Sequence, residues 1–287
     1  MKENRIISFI IVTLVYILAT IIGIFLYNMI DLEILLKVFI VDVVATTVVF
    51  IFSLIFKNSS VYDPYWSVQP IVILFLLMIG HDFTLERSLM LISVALWGIR
   101  LTVNWGYTFK NLYHQDWRYK MLKEKTGLFY PVINYLGIHM FPTIVVFLCI
   151  APAIEMICCE TKFSPFVIVG FIVSIGAFVL QGVSDIQMHK FRSKKTVGFI
   201  RDGLWKYSRH PNYLGEILMW WGIAIMSFSS LEGINLPISL MLFIGAIVNT
   251  LMFLFVSIPM AEKHQASRKP GFEEYKKETR MLLPIKK

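Results

Sequence analysis

The chain has 287 residues, of which 57% are hydrophobic and only 16% are charged. About a quarter of the residues in a soluble domain are charged, so this composition excludes a water-soluble globular protein and predicts an integral membrane protein. The formal net charge is +8 at pH 7, and the three cysteines have neither metal-ligand nor disulfide-framework spacing, so we predict no bound metal.

Eight apolar segments have about the length needed to cross a bilayer. The first, from Ile6 to about Tyr27, is too long for the apolar part of a signal peptide, and no small-residue cleavage site follows it, so we predict a retained helix. The third is short and predicts either a full span or a tilted or re-entrant segment. The pattern predicts an all-α polytopic membrane protein with seven or eight transmembrane helices in a single domain, residues 1–287. The segments are 6–27, 34–56, 66–79, 88–109, 130–152, 164–187, 212–230 and 236–258.

Lys and Arg are concentrated in alternate connections between these segments. Residues 188–211 include seven basic residues against one acidic residue, and the tail 260–287 includes eight against four. Because Lys and Arg accumulate in cytoplasmic loops, this pattern predicts that both chain termini are cytoplasmic. The membrane would be the inner or plasma membrane, or the endoplasmic reticulum in a eukaryote. Membrane orientation explains the positive charge, which is therefore no evidence for nucleic acid binding.

Polar residues within the predicted spans share the cytoplasmic half of the membrane. Ionisable groups are expensive in a bilayer and commonly mark functional sites, and a common depth favours a cavity that opens to the cytoplasm. A structural ion pair at Asp185 is the alternative. Asp42, in the second span, is assigned to packing or to a structural pair. The polar residues at helical spacing on the sixth span are Gln181, Asp185, His189 and Arg192.

The stretch YSRHPNYLGE, residues 207–216, combines basic residues with the start of a helix. Ser208 and Asn212 can cap this helix and Pro211 suits its first turn, while Arg209 and His210 stand beside the opening. A helix N-terminus favours anions through its free N–H groups and its dipole, although a helix entrance at the lipid head groups has a similar composition. The chain has no GxG pair and no GxxxxGK segment, which excludes Rossmann and P-loop sites.

Several stretches resemble one family of membrane enzymes. GLWKYSRHPNYLGEILMWWG resembles the signature of the steroid 5-alpha-reductase family, and it is most similar to the bacterial branch of that family. The segments YDPYWSVQP, WGIRLTVNWGY with QDWRY, and EKHQASRKPGFEEYKKETRMLLP fit the same branch. The resemblance covers about residues 60–285 and leaves residues 1–60 as N-terminal helices.

The resemblance implies an all-helical fold that encloses NADPH and reduces a carbon–carbon double bond conjugated to a carbonyl in a lipid-like, steroid- or isoprenoid-like substrate. It further implies a carboxyl group and a hydroxyl group that polarise the carbonyl oxygen, for which Asp63 and Tyr107 are the best matches. Asn104 stands where the family's tyrosine would fall, and Asp63 can equally cap the next helix. The implied cofactor-binding residues are Asp185, Arg192, Tyr207, Arg209, His210, Asn212, Tyr213, Glu216, His264 and Arg268.

A second family shares part of this C-terminal pattern. Isoprenylcysteine carboxyl methyltransferases and phospholipid methyltransferases bind S-adenosylmethionine and carry R-H-P-x-Y-x-G followed by a late glutamate, which residues 209–215 and Glu262 match. The reductase is favoured because Glu216 directly follows the glycine, and because NADPH phosphates require more positive charge than a cationic cofactor. A non-enzymatic transporter or assembly factor is a third alternative, although the paired helix interruptions typical of transporters are not visible.

Overall fold

The computed structural model describes residues 4–194, 198–228 and 241–285. Of these described residues 79% are helical, and no strand occurs among them. Seven of the described helical segments are long and apolar enough to cross a membrane, which confirms the all-α membrane fold. These segments are Arg5–Met29, Ile34–Phe56, Ser59–Met78, Leu85–Thr108, Trp117–Cys158, Pro165–Ser193 and Ile244–Ala266.

The bounds of most predicted spans differ by a few residues or more from those of the observed segments, and the third, seventh and eighth are instructive. The third is longer than the 66–79 predicted, because a 3₁₀ turn at Ser59–Val61 precedes its α-helix and extends the apolar segment to Ser59–Met78. The seventh corresponds to the 17-residue helix Pro211–Ser227, and the last residues of the predicted span lie outside the described ranges. The start of the predicted eighth span, at residue 236, also lies outside them.

The chain divides into two compact units, Met1–Phe83 with Gly98–Cys159, and Thr84–Trp97 with Glu160–Lys287. The described α-helices are α1 Arg5–Met29, α2 Ile34–Phe56, α3 Tyr65–Met78, α4 Leu85–Thr108, α5 Trp117–Thr126, α6 Tyr130–Ile133, α7 Phe141–Cys158, α8 Pro165–Ser193, α9 Pro211–Ser227, α10 Ile244–Met252, α11 Ile258–Ala266 and α12 Phe272–Glu278. Two π-helical segments, Asn134–Met140 and Phe253–Ser257, precede α7 and α11.

The first unit is organised around the antiparallel pair α1 and α2. Small and β-branched side chains of α1, such as Val15 and Ala19, are buried against Ala45 and Val49 of α2. These residues recur at three- and four-residue spacing, so each helix presents one continuous apolar stripe to the other. The opposite face of α1 is apolar and exposed, as shown by Ile10 (53%) and Ile21 (58%). Such a face is expected of a helix that contacts lipid.

In the second unit, α8 and α9 pack with their backbones almost in contact. A Cβ atom on Gly170 would lie 2.4 Å from the Gly222 carbonyl oxygen, and one on Gly215 would lie 2.4 Å from Gln181 Cγ. Small residues at such an interface let membrane helices approach closely. The two helices run antiparallel, because Gly170 meets the end of α9 while Gln181 meets its beginning. The N-terminus of α9 therefore lies beside the C-terminal half of α8.

Candidate functional site

The segment before α9 is anchored to α8 by side chain to backbone hydrogen bonds. The Leu204 N–H donates to Gln187 Oε1 at 3.0 Å, and Trp205 Nε1 donates to the Ser184 carbonyl at 3.2 Å. Pro211 is the first helical residue of α9, as the sequence predicted, but the N-cap residue is His210 and neither Ser208 nor Asn212 caps the helix. The motif of residues 207–216 therefore forms a fixed turn that leads into α9.

Arg209 and His210 meet at one carboxylate from a distant part of the chain. Arg209 Nε donates to Glu262 Oε1 at 2.7 Å, and His210 Nε2 lies 3.1 Å from the same oxygen. Lys276 Nζ is 3.7 Å from the other oxygen of Glu262. The residues that the sequence pattern paired with a late glutamate thus lie together in space. Glu262 compensates the positive charges of Arg209 and Lys276.

Arg209 also holds the C-terminal segment against the start of α9. Its Nη1 donates to the Lys276 carbonyl at 3.2 Å and to the carbonyl of Thr279. Its own backbone N–H donates to the Arg280 carbonyl at 2.9 Å, and the next N–H, that of His210, donates to the Met281 carbonyl at 3.2 Å. The guanidinium group is therefore committed to internal contacts on several sides.

The aromatic residues of the motif lie at different depths. The His210 ring stacks on Tyr213, with centroids 5.1 Å apart and planes 9° apart, and Tyr213 in turn contacts Phe253 at 4.8 Å. Asn212 is half-buried as the second residue of α9. Tyr207 is 41% exposed. The Lys206 ammonium group lies 5.8 Å from the centroid of the Tyr207 ring. The His210–Tyr213 stack, in contrast, forms part of the packed interior.

Glu216 is buried among nitrogen donors. Trp97 Nε1 lies 2.9 Å from both carboxylate oxygens, Trp220 Nε1 donates at 3.1 Å, and Gln181 Nε2 donates at 3.0 Å. Only 6% of Glu216 is exposed. The carboxylate joins α4, α8 and α9 within the second unit, so the geometry gives it a helix-positioning role. A direct contact of Glu216 with a cofactor remains a prediction.

A second group of cations lies near the C-terminal end of α8. Burial lowers the pKa of Lys269, and the neighbouring Arg192 lowers it further. Arg192 is in the last turn of α8 and exposed, and Arg268 is exposed just after α11. In the described part of the chain, no salt bridge involves any of these three residues. Like charges held together in this way favour binding of an anion.

Two other predicted cofactor residues lie on the helices that carry these cations. Asp185 is half-buried on α8, two turns before its end, and His264 is half-buried in the last turn of α11. Lys269 was not predicted from the sequence. The sequence feature that could have identified Lys269 is the run SRKPG. In it, a basic pair is followed by a turn that ends at Gly271, which has a φ of 79°.

The predicted catalytic residues both belong to the first unit. Asp63 lies between the 3₁₀ turn and α3, and its Oδ1 accepts a hydrogen bond of 2.6 Å from the Tyr119 hydroxyl. Tyr119 belongs to the QDWRY segment, which the resemblance included without giving it a role. Tyr107 is 70% exposed in the last turn of α4. The catalytic role of Asp63 and Tyr107 stays a prediction.

Comparisons with known proteins identify the family of the chain. An uncharacterised protein of the fission yeast Schizosaccharomyces pombe is 29% identical to the chain. The match covers 57% of the chain and 56% of the length of that relative. No solved structure matches the chain. Residues 49–279 match the family described as "Protein of unknown function (DUF1295)". The chain therefore belongs to the DUF1295 family, which is part of the steroid 5-alpha-reductase-like group of membrane proteins.

Proposed function

We propose that the protein is an NADPH-dependent membrane reductase that reduces a carbon–carbon double bond conjugated to a carbonyl in a lipid-like substrate. The observation that carries the proposal is the proximity of Arg192 and Lys269: burial lowers the pKa of Lys269, and the charge of Arg192 lowers it further. Two cations held close together without an acidic partner repel each other, and this repulsion destabilises the protein unless a bound anion compensates it. The 2′-phosphate and the pyrophosphate of NADPH are such anions.

The residues around this cluster suit a phosphorylated nucleotide. Arg192 and Arg268 offer planar guanidinium groups that match phosphate oxygens in pairs, and Lys269 adds a point charge. The N-terminus of α9 offers a positive helix end. Tyr207, with its exposed ring, is suited to contact with a base or nicotinamide ring. In this proposal Asp185 and His264 are the neighbouring groups that hydrogen-bond the sugar or the phosphates.

NADPH, when bound, supplies the hydride. The protein's own part is to orient the acceptor and to stabilise the negative charge that develops on its carbonyl oxygen. A hydroxyl or protonated carboxyl within hydrogen-bonding distance of that oxygen would do so, and Asp63 and Tyr107 are assigned this role by resemblance. The Tyr119 hydroxyl already contacts the Asp63 carboxylate, so Tyr119 would orient that group.

A second candidate is an S-adenosylmethionine-dependent methyltransferase of the isoprenylcysteine or phospholipid type. The contact of Glu262 with both Arg209 and His210 favours it, since these residues make up the pattern shared with those enzymes. A cationic sulfonium, however, gains nothing from the cluster of Arg192, Arg268 and Lys269. The reductase therefore accounts for more of the charged residues of the second unit.

The melting temperature of the purified protein in detergent tests both candidates. A ligand that binds only the folded state raises the melting temperature, so NADPH should raise it while S-adenosylmethionine and NADH do so less. Lys269→Met should remove most of the NADPH effect, and Lys263→Met, an exposed lysine on α11, is the matched control. Stabilisation by S-adenosylmethionine alone would replace the reductase with a methyltransferase. Long-chain enones would then be screened as substrates by the consumption of NADPH.

A further inference from the structure

The first unit contains a half-enclosed cavity, lined by residues of α2, α3 and α7, that the proposed cofactor site does not involve. Its volume is about 210 Å³, open space at its mouth included, while its innermost part has room for about one water molecule. Its polar lining consists of Asp42, Tyr65, Gln69 and Thr143, and the remaining lining is mainly apolar, with Ile73 and Ile150 among it.

Two of the polar groups in this cavity lack a well-formed hydrogen bond. Within the described residues, Asp42 Oδ1 and the Tyr65 hydroxyl have no partner of good geometry, although Asp42 lies near Gln69 and Tyr65, and Tyr65 lies near Thr46. Both residues are buried, with 3% and 2% of their surface exposed. A buried polar group without a partner costs about 1–3 kcal/mol. Two such groups in one small cavity therefore indicate that a bound atom completes their hydrogen bonding.

The wall of the cavity is fixed by a chain of hydroxyl groups. Thr143 Oγ1 lies 3.1 Å from Thr46 Oγ1 and 2.7 Å from the Tyr62 hydroxyl. These contacts tie α7 to α2 and to the residues before α3, and they occupy the Thr143 hydroxyl. Tyr65 and Gln69 are four residues apart, so they share one face of α3. Asp42 and Tyr65 are thus left as the groups available to a ligand.

The charge of the cavity limits what it can bind. No Lys, Arg or His is among the described residues that line it. An ionised carboxylate without a cationic partner is expensive in such surroundings, so the cavity favours Asp42 as the neutral acid. Both the acid and the Tyr65 hydroxyl can then donate a hydrogen bond to the same oxygen.

We propose that this cavity binds the uncharged oxygen, hydroxyl or carbonyl, of an apolar lipid-like molecule. The oxygen occupies the innermost space between Asp42 and Tyr65, and the apolar body lies along Ile73 and Ile150 towards the mouth. The inference does not depend on NADPH binding, because every residue that it uses belongs to the first unit. It is also separate from Asp63, whose carboxylate already contacts Tyr119.

Photolabelling of the full-length protein in detergent tests the site. The probe is a long-chain fatty alcohol that carries a diazirine and an alkyne, and its control is the same chain without the hydroxyl. Saturable labelling by the alcohol should map to peptides of α3 and α7. Tyr65→Phe and Asp42→Leu should each raise the half-saturating concentration about fivefold, the loss expected for one neutral hydrogen bond of about 1 kcal/mol. Asp42→Asn, which keeps an N–H donor, should change it less than twofold.

The controls separate a local effect from misfolding. Tyr65→Phe removes a hydroxyl that makes no well-formed hydrogen bond to the protein, so its melting temperature should stay close to that of the parent. Ser67→Ala changes another buried polar residue of α3, one that contacts Thr102 at 2.9 Å and does not line the cavity; it should leave labelling unchanged.

Three results would overturn the proposal. They are equal labelling by the hydrocarbon, labelling that does not saturate, and loss with Asp42→Asn as large as with Asp42→Leu, which would indicate a cation site. If an enone competes with the probe and is reduced by the protein when NADPH is present, the occupant is a substrate. A competing lipid that is not consumed would identify it as a resident membrane lipid. Absence of any NADPH effect on melting would contradict the proposed function alone, since the labelling does not require NADPH.

Discussion

Substitution of Arg209 by Ala should destabilise the second unit strongly. Arg209 and Glu262 are joined at 2.7 Å, and their side chains are only 9% and 11% exposed. Breaking a buried ion pair by removing one partner costs about 3–5 kcal/mol, because the remaining charge is left in the interior. The carbonyl groups of Lys276 and Thr279 also lose a donor in this variant. Glu262 would keep its contacts with His210 Nε2 and Lys276 Nζ.

The melting temperature in detergent measures this loss. At about 2 °C per kcal/mol, Arg209→Ala should melt roughly 6–10 °C below the parent. The matched control is Arg201→Ala, which breaks an ion pair of 3.2 Å between side chains that are 46% and 63% exposed. Exposed pairs contribute about 0–1 kcal/mol, so this control should melt within about 2 °C of the parent.

The double variant Arg209→Met with Glu262→Leu provides the sharper test. Replacement of both charged partners by apolar residues removes the buried charge together with its compensation, and such exchanges are often close to neutral. The double variant should therefore melt above Arg209→Ala. Equal melting of Arg209→Ala and Arg201→Ala would refute the argument, because it would mean that the Arg209–Glu262 pair is solvated or not formed.

The remaining predictions concern the cation cluster, the α8–α9 contact and the C-terminal helix. Lys269 has a folded-state pKa below its usual 10.5, so the unfolded chain holds that proton more tightly. The free energy of unfolding without ligand should therefore rise as pH increases towards about 10.5. Lys269→Met should remove this rise in melting curves recorded at different pH values. Gly222→Ala places a Cβ 2.2 Å from Ser174 Oγ and should cost about 1–3 kcal/mol, whereas Gly176→Ala, with nothing within 4 Å, should not destabilise; equal melting would contradict the close contact. Burial raises the pKa of Tyr275 to about 12. The contribution of its protonated hydroxyl to stability should therefore be complete below about pH 10 and lost as pH approaches 12. Tyr275→Phe should make the melting temperature less dependent on pH over that window.

The helices could be predicted from the sequence because hydropathy and length are local properties. Segments such as Ile34–Phe56 were predicted to the residue, since an apolar run in a bilayer has to satisfy its backbone internally. The third span was predicted too short because the polar residues of the 3₁₀ turn, Ser59 and Ser60, are buried in the structure. Burial of polar residues depends on tertiary partners, which a hydropathy profile does not contain.

The site was predictable where its motif is continuous and was missed where it depends on distant residues. Arg209, His210 and Pro211 were found because they surround a helix start. The function of Glu262 depends on a contact across 53 positions of sequence, so only its place in a family pattern pointed to it. Asp42 was assigned to packing or to a structural pair, and the observation that its Oδ1 lacks a partner required the positions of α3 and α7.

The basic residues of the second unit have two different roles: some hold the structure together, and others are proposed to contact the ligand. This difference affects how substitutions in the RHP sequence should be interpreted. Arg209 is the arginine of the RHP sequence, yet Glu262 balances its charge, and its Nη1 donates to two backbone carbonyls. Lys269 and Arg192 lie outside that sequence and lack salt bridges in the described residues. A loss of nucleotide binding after substitution of Arg209 would thus follow from displacement of the C-terminal segment. The same loss after substitution of Lys269, with folding intact, would report the ligand contact itself.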